Sequence, residues 1–233
     1  MAPNVEHSVT WEENDTPISD RFRDPFFSRN DGRAEAQHVF LMGNSLPQRL
    51  VKTEQFTIAE LGFGTGLNCL ETIATWQTTP HRCHTLTYLA VEAYPLARSD
   101  LLRALARWPS LVNLTDILAS TWPPSPGWST IKIGCATVKL CIADISVALS
   151  NWPKASSVDA WYFDGFSPSK NPEMWSTEAM TAVWEQTCPG GTFATFTVAG
   201  WVRRNLQNAG FVVEKRPGFH NKRECLGGYR PVP

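Results

Sequence analysis

The segment Glu60-Leu61-Gly62-Phe63-Gly64-Thr65-Gly66-Leu67-Asn68 decides the fold of this chain. A short apolar, β-branched run at residues 56–61 leads into it and predicts a buried strand, whereas residues 67–76 carry apolar side chains at helical spacing. Between the two, glycines at alternate positions let the backbone turn sharply and approach a ligand closely. The segment therefore predicts a strand, a tight loop and a helix, in that order.

The spacing of these glycines limits the ligand. A dinucleotide fingerprint needs glycine at the first, third and sixth positions of the loop, and the sixth position here is Leu67. The loop is therefore unsuited to a pyrophosphate, and it favours an amino-acid-bearing nucleoside such as S-adenosylmethionine. A purely structural strand-to-helix turn is the alternative interpretation.

Strands and helices alternate along the rest of the chain. The pattern predicts strands at residues 85–91, 136–142, 158–163 and 191–196, with a last strand pair from residue 210. It predicts helices at residues 96–108, 173–187 and 201–208, and a break at residues 188–191. Such alternation is typical of an α/β fold with a mostly parallel sheet, here a Rossmann-like domain at residues 56–233. Residues 1–55 are predicted to form a small N-terminal appendage of short strands or turns.

Composition excludes several classes of protein. The chain has 233 residues, 42% of them hydrophobic and 18% charged, which allows a full core and excludes wholesale disorder. A formal net charge of -1 excludes a generally basic coat but not a local basic patch. There is no long apolar run or signal-peptide pattern, so we expect no membrane span and a cytoplasmic protein. The six cysteines form no C-x-x-C pair, so we expect free thiols and no metal site.

Three acidic residues follow predicted strands. Glu92, Asp144 and Asp164 each lie at or just after a strand end, where ligands of parallel sheets bind. A carboxylate at Glu92 can accept hydrogen bonds from both ribose hydroxyls of a nucleoside, and Asp144 can accept one from the exocyclic amine of adenine. An exposed surface acid and a helix cap, respectively, are the alternatives.

The most specific of these segments is Asp164-Gly165-Phe166-Ser167-Pro168. Gly165 permits an unusual backbone angle and Pro168 stiffens the loop, which favours an Asp164 side chain that points into the cleft beside an aromatic stacking face at Phe166. An Asp-Gly turn with helix capping is the alternative.

Basic residues are concentrated near the C-terminus. From residue 201 to residue 230 seven basic side chains face two acidic ones, a balance of 7 − 2 = +5. The basic residues are Arg203, Arg204, Lys215, Arg216, Lys222, Arg223 and Arg230. Residues 1–30 have a balance of 3 − 6 = −3. This polarity fits contact with phosphates by one face, and a solvated surface is the alternative.

Several of these motifs together resemble a known family. Residues 60–68, 164–175, 195–210 and 218–224 are similar to the methyltransferase domain of the bacterial tRNA-modifying enzyme MnmC and its stand-alone form MnmD. Phe27, Ser28, Gly32, Glu35 and residues 39–44 resemble the family's N-terminal signature, so the likeness runs from about Trp11 to Arg230. One departure is His220, where the family's pattern has glycine.

The resemblance implies a class I S-adenosylmethionine-dependent methyltransferase fold and a substrate. The substrate is tRNA whose wobble uridine 34 carries a 5-aminomethyl group, often with 2-thiolation, and the product is the 5-methylaminomethyl nucleotide. An upstream oxidase or aminomethyl-forming enzyme is a separate partner that the resemblance allows, since no oxidase domain fits in this chain.

The resemblance also implies roles for individual residues. Asp164 is the expected catalytic residue, which orients the amine and helps to accept its proton. The expected cofactor-binding residues are Glu60, Gly62, Phe63, Gly64, Gly66, Asn68, Glu92 and Asp144. The expected substrate-binding residues are Phe166 and Trp175, as stacking faces for the base, and Arg203, Arg204, Lys222 and Arg223.

Three other functions stay open on the sequence alone. The first keeps the cofactor but methylates a small-molecule or protein amine. The second is a nicotinamide-dependent oxidoreductase, against which the glycine spacing argues. The third is an RNA-binding module that transfers no methyl group.

Overall fold

Eleven strands and eight α-helices occur in the residues that the computed structural model describes, which are 7–51, 53–82, 84–153 and 157–233. The strands are β1 (Val9–Trp11), β2 (Pro17–Ser19), β3 (Asp24–Pro25), β4 (Gln55–Leu61), β5 (Thr85–Glu92), β6 (Gly127–Ile133), β7 (Ala136–Ile142), β8 (Val158–Phe163), β9 (Thr187–Thr195), β10 (Val212–Pro217) and β11 (Glu224–Tyr229). The helices are α1 (Gly32–Glu35), α2 (Leu46–Arg49), α3 (Leu67–Thr78), α4 (Arg98–Leu105), α5 (Val112–Ser120), α6 (Ile145–Ser150), α7 (Thr177–Gln186) and α8 (Gly200–Ala209).

Eight of these strands form one central sheet, in the order β10-β11-β9-β8-β4-β5-β7-β6. Neighbours from β9 through β7 run parallel, whereas β11 and β6 run antiparallel to the strands beside them. From β4 the chain builds one side of the sheet as far as β7 and then crosses to β8 on the other side. The topological switch point therefore lies between β4 and β8, and the predicted α/β fold with a mostly parallel sheet is confirmed.

Helices cover both faces of this sheet, which explains the nearly continuous apolar sequence of its strands. Successive side chains along a strand join opposite cores: Ile58 and Tyr162 lie in one hydrophobic core, and Ala59 and Trp161 lie in the other. Side chains of α3, α4 and α5 complete the first core, and those of α6, α7 and α8 complete the second. The carboxyl ends of β4 and β8 are thus fixed from both faces.

The N-terminal segment has more helix than the sequence suggested. Strands β1, β2 and β3 form a small antiparallel sheet, as expected for short strands. Residues 32–49, however, are mostly helical, because α1, a π-helical segment (Ala36–Leu41) and α2 follow one another closely. Buried side chains here, among them Phe40 and Leu46, belong to the same core as the central sheet. The domain division at residue 55 stays a prediction.

Polar contacts attach this helical segment to the sheet. The Asn44 side chain is 1% exposed, and its amide donates to the Trp161 carbonyl over 3.3 Å and accepts from the Thr192 hydroxyl over 2.6 Å. Arg49 donates to the Asp159 carbonyl over 3.0 Å. The segment is therefore bonded to both β8 and β9.

Several element boundaries differ from the predicted ones. Helix α5 and strand β6 were not predicted, and the helix expected at residues 96–108 is limited to α4. The helix expected at residues 173–187 divides into a 3-10 turn (Pro172–Trp175) and α7, which begins after the capping residue Ser176. Residues 188–191 do not end regular structure, because they lie within β9, where a register shift against β8 accommodates them.

The structure also describes the cysteines, the helix lengths and the possible metal ligands. Five cysteines are free thiols in the described residues, and Cys83 lies outside them. Within the described ranges no helix is both long enough and apolar enough to cross a bilayer. The described side chains also contain no group of three or more His, Cys, Asp and Glu residues placed to hold a metal ion.

Replacing Asn44 with alanine tests whether the N-terminal helices stabilise the sheet. Asn44→Ala leaves the partly buried Thr192 hydroxyl without its acceptor and the buried Trp161 carbonyl without this donor, so we expect the free energy of unfolding to fall by about 2 kcal/mol. Urea denaturation followed by tryptophan fluorescence measures the change. The control Met42→Ala alters a side chain that is 58% exposed and should change stability by less than about 0.5 kcal/mol. Equal effects of both variants would contradict this role.

Candidate active site

The glycine loop after β4 is held against two neighbouring strand ends. The backbone amides of Gly62 and Phe63 both donate to the Val91 carbonyl at the end of β5, over 3.0 and 3.1 Å. Gly62 has φ 90°, and a Cβ built on it would lie 2.1 Å from the Asp164 carbonyl oxygen. Gly66 has φ 78°, and its Cβ would meet the Phe63 ring at 2.9 Å. Both positions therefore require glycine, and the predicted strand, loop and helix are confirmed.

A cavity of about 750 Å³ opens beside this loop, at the switch point between β4 and β8. It is large enough to hold a small-molecule ligand. The sequence-predicted residues that line it are Gly62, Phe63, Gly64, Asn68, Glu92, Asp144, Asp164, Phe166 and Lys222. Four separate strand ends thus contribute to one site.

Glu92 fixes the glycine loop as well as facing the cavity. One carboxylate oxygen accepts from the Gly64 amide over 2.8 Å and the other from the Tyr94 amide over 2.8 Å. Burial raises the pKa of Glu92, and these backbone donors partly offset the increase. Each carboxylate oxygen has a second acceptor position, so hydroxyl groups can still bind there.

Asp144 lies just before α6 and lines the same cavity. Its side chain makes no capping hydrogen bond to that helix, although its backbone carbonyl accepts from Ala148. The capping interpretation is therefore not what the structure shows, and the carboxylate remains available to a ligand.

Asn68, at the start of α3, connects two carboxyl groups. Its amide nitrogen donates to Glu60 over 2.8 Å and to Asp164 over 2.5 Å. Glu60 is fully buried, does not line the cavity, and also accepts from the Tyr88 hydroxyl over 2.9 Å. Burial, reinforced by the charge of Asp164, raises the pKa of Glu60 well above its usual range. Glu60 therefore has no direct contact with the cavity, and its hydrogen bond to Asn68 connects it to the residues that line it.

Asp164 has the electrostatics of a residue that exchanges protons near neutral pH. Burial raises its pKa to about 7, and the negative charge of Glu35 adds to the increase. The hydrogen bond from Asn68 and the positive charge of Lys222 act in the opposite direction. Such a carboxyl group is poised between its two protonation states at physiological pH.

The aromatic residues predicted to stack on a base have different surroundings from those expected. Trp175 is fully buried and donates its indole N–H to the Phe166 carbonyl over 3.3 Å, so it supports the loop and offers no face to a ligand. The Phe166 ring lies in the cavity wall, but Phe22 stacks on it with ring centroids 4.5 Å apart. One of its faces is therefore covered by the protein itself.

The predicted basic residues are not all at the cavity. Lys222 lines it, and Arg223 lies in an adjoining shallow depression with Ser167 and Thr197. Arg204 is exposed on α8, whereas Arg203 beside it is partly buried, and neither lines the cavity. The basic residues thus extend from the cavity outward rather than surrounding it.

The backbone conformation of His220 accounts for the glycine that the family pattern has at this position. It lies in the loop between β10 and β11 with φ 50°, a left-handed conformation that glycine adopts without strain. The loop geometry is therefore compatible with the family's glycine, and this chain adopts it with a histidine.

Sequence reasoning did not place residues 21–30, here called the N-terminal cover, or Glu35 at the cavity, although Glu35 and every residue of the cover except Arg23 line it. Asp24 accepts from the Ser167 amide over 2.9 Å and from Lys170 over 2.8 Å, which ties the cover to the loop after β8. The Phe26 ring lies beside the glycine loop, 3.3 Å from a Cβ built on Gly64. The only signal was the N-terminal family signature, which contains Phe27 and Glu35 but gives no position for them.

Comparison with known proteins decides the family. Residues 109–231 match the model of a family described as S-adenosyl-L-methionine-dependent methyltransferases. The chain belongs to this family. The predicted cofactor, S-adenosylmethionine, is thereby confirmed as the methyl donor of its class. The cavity fits that cofactor, because bare backbone at Gly62 and Gly64 faces acidic side chains at two further strand ends.

Relatives extend this result along the whole chain. The chain is 40% identical to the tRNA 5-methylaminomethyl-2-thiouridine biosynthesis bifunctional protein MnmC of Caulobacter vibrioides, over 99% of this chain and 39% of that protein. The MnmC protein of Chromohalobacter salexigens is 42% identical over 94% of this chain and 32% of its own length. The chain thus spans between a third and two fifths of these relatives, and the resemblance to the MnmC methyltransferase domain is confirmed.

Solved structures agree on the fold. MnmC2 from Aquifex aeolicus has a TM-score of 0.76 at 19% identity, over 98% of this chain and 72% of that one. A precorrin-6y C5,15-methyltransferase from Geobacter metallireducens has a TM-score of 0.50 at 14% identity, over 99% of this chain and 100% of that one. These likenesses concern the fold, which is that of the class I methyltransferases.

A single methyl group at Gly62 tests whether the close approach of loop and Asp164 is necessary. Gly62→Ala places Cβ against the Asp164 carbonyl, so we expect lower stability and at least tenfold weaker binding of S-adenosylmethionine, measured by thermal unfolding and calorimetry. The control is Gly127→Ala, which has φ 84° but open space around its Cβ. It isolates backbone strain and should leave cofactor binding unchanged. Equal cofactor affinity in both variants would refute the steric argument.

Proposed function

We propose that this chain transfers a methyl group from S-adenosylmethionine to the 5-aminomethyl nitrogen of wobble uridine 34 in tRNA, forming 5-methylaminomethyl-2-thiouridine from 5-aminomethyl-2-thiouridine. The observation that carries the proposal is the Asp164 carboxyl group at the switch point, held by Asn68 and with its pKa raised to about 7. The acceptor comes from the relatives, whose names describe tRNA 5-methylaminomethyl-2-thiouridine biosynthesis.

Different residues of the chain would bind different parts of the cofactor. Gly62, Gly64 and Asn68 face the methionine part, Glu92 binds the ribose, and Asp144 accepts from the adenine amine. Glu60 supports this arrangement from beneath by holding Asn68. When bound, S-adenosylmethionine supplies an electrophilic methyl group on a sulfonium.

Asp164 would prepare the acceptor amine. An alkylamine has a pKa of about 10, so it enters the site mostly as an ammonium, which has no lone pair to attack with. Asp164 in its carboxylate form accepts a proton from it and orients the neutral nitrogen. Because charge is moved rather than created in this reaction, alignment of the nitrogen contributes most, up to about 7–11 kcal/mol in favourable cases.

The tRNA would approach from the side of the cavity that carries Lys222 and Arg223, with Arg204 on α8 available to phosphates further out. Phe166 would contact the base with the part of its ring that lines the cavity, since Phe22 stacks on one face and Phe26 packs against the ring edge-on. Trp175 has no part in this contact. A tRNA substrate implies a location in the cytoplasm, and the aminomethyl group implies an earlier reaction that forms it.

A methyltransferase for a small-molecule or protein amine is the second candidate. It is favoured by the ion pairs that neutralise basic residues in the cavity wall, where Lys222 is paired with Glu35 and Lys170 with Asp24. Incubation with labelled S-adenosylmethionine and bulk tRNA from cells that lack this activity, followed by nucleoside mass spectrometry, decides between the two. Label in 5-methylaminomethyluridine supports the proposal, and unlabelled tRNA overturns it.

Asp164→Asn tests the role of the carboxyl group. The amide cannot accept a proton, so we expect kcat to fall by about 10²–10⁴-fold while affinity for S-adenosylmethionine changes little. In the wild type, the ionised fraction of Asp164 increases as the pH rises through about 7, so activity should increase over the same range. The variant should not show this increase in activity near pH 7. Asp116→Asn, at an exposed position on α5, is the control. Full activity of Asp164→Asn would remove Asp164 from the mechanism.

The salt dependence of tRNA binding tests the basic surface. Arg204→Ala and Arg223→Ala should each weaken binding uniformly and reduce the slope of log Kd against log salt by about one phosphate contact. Lys132→Ala is the matched control, since Lys132 is an exposed basic residue on β6, at the opposite edge of the sheet from β10. A loss of affinity in Lys132→Ala equal to the other two would place the tRNA elsewhere.

A further inference from the structure

Glu35 is a carboxylate in the cavity wall that already binds an ammonium group. It is the last residue of α1, its side chain is 14% exposed, and one oxygen lies 2.9 Å from Nζ of Lys222. Its backbone amide bonds to the Asp31 carbonyl, and the next residue, Ala36, is buried. The position of Glu35 is therefore set by the helix and the core.

Lys222 is the more exposed partner of this pair. It lies in the loop between β10 and β11, its side chain is 49% exposed, and its ammonium lies 4.9 Å from the centre of the Phe196 ring. A long side chain at the edge of a cavity can withdraw into water with its charge solvated. The Glu35 side chain is mostly buried and cannot withdraw into water in this way, so a group that displaces Lys222 must supply a donor in its place.

Glu35 and Asp164 belong to the same end of the cavity. The charge of Glu35 raises the pKa of Asp164 and that of Lys222 lowers it, so the three groups interact electrostatically. Asp164 is the residue to which the acceptor amine must come close. Glu35, Asp164 and Lys222 all line the same cavity, so an ammonium that enters it to reach Asp164 meets Glu35 in the same cavity wall.

We propose that Glu35 binds the protonated aminomethyl group of the acceptor nucleoside in exchange for the Lys222 ammonium, and so selects a 5-aminomethyluridine against an unmodified uridine. The inference rests on the proposed function, because the acceptor is the one named there. One primary ammonium replaces another, so the buried carboxylate stays paired while the substrate binds. A uridine without the amine offers nothing to Glu35 and leaves Lys222 in place across the cavity.

The exchange also prepares the proton transfer. The ammonium N–H bond breaks and its proton goes to the Asp164 carboxylate, which leaves a neutral amine and a carboxylic acid. The nitrogen lone pair then forms the new N–C bond as the C–S bond of the cofactor's sulfonium breaks. Glu35 accepts a hydrogen bond from the reactant ammonium before the proton transfer and from the product ammonium after the methyl transfer.

The test compares two tRNAs that differ only at uridine 34, one with a 5-aminomethyl group and one without it. Their Kd values are measured in the presence of S-adenosylhomocysteine, which prevents turnover. We expect the wild type to prefer the aminomethyl tRNA and Glu35→Gln to lose that preference by roughly ten- to a hundredfold, since a charge-assisted hydrogen bond is removed. Affinity for S-adenosylhomocysteine and the melting temperature serve to establish that the variant is folded.

Two further variants keep the result interpretable. Glu178→Gln makes the same change at an exposed position on α7 and should retain the wild-type preference. Lys222→Met removes the competing ammonium. It should weaken the binding of both tRNAs to the same extent, or weaken the aminomethyl tRNA less, so the preference for the aminomethyl tRNA is retained or increased. An unchanged preference in Glu35→Gln, or its loss in Lys222→Met, would overturn the assignment. A wild-type protein that does not methylate the aminomethyl tRNA would overturn the proposed function, and the inference with it.

Discussion

The side-chain amide of Asn68 is the contact on which the site depends. It joins Glu60 at the end of β4 to Asp164 just after β8, so a single group at the start of α3 fixes both sides of the switch point. Burial raises the pKa of both carboxyl groups, which means that each would prefer to be neutral without such donors. The glycine loop lies between the same elements and is so close to Asp164 that no side chain fits there.

Much of this centre was predictable from local sequence. The glycines of residues 62–66, the preceding apolar strand and the acids at later strand ends are short-range signals, and parallel strands bring their carboxyl ends to one edge. Glu92, Asp144 and Asp164 therefore meet as expected. Glu60 was placed correctly beside the loop, but the sequence could not tell a residue that touches a ligand from one that lies beneath it.

What could not be predicted depends on contacts between distant parts of the chain. Trp175 was expected to face a base, yet its indole lies in the core between the loop after β8 and α8. The stacking of Phe22 on Phe166 joins residues 144 positions apart, and no local pattern indicates it. Helices α5 and α6 and strand β6 were also missed; for β6, the prolines at residues 123, 124 and 126 predict a loop and give no sign that a strand begins at Gly127.

The two ends of the chain meet at the cavity. Glu35 bonds to Lys222 across 187 positions, His38 bonds to the Pro217 carbonyl, and Arg216 bonds to the Gly43 carbonyl. On the ribosome, the first helices emerge long before the last hairpin with which they must pair. The wall of the cavity is thus completed only after the β10–β11 hairpin has been translated, because Lys222 lies in the loop of that hairpin.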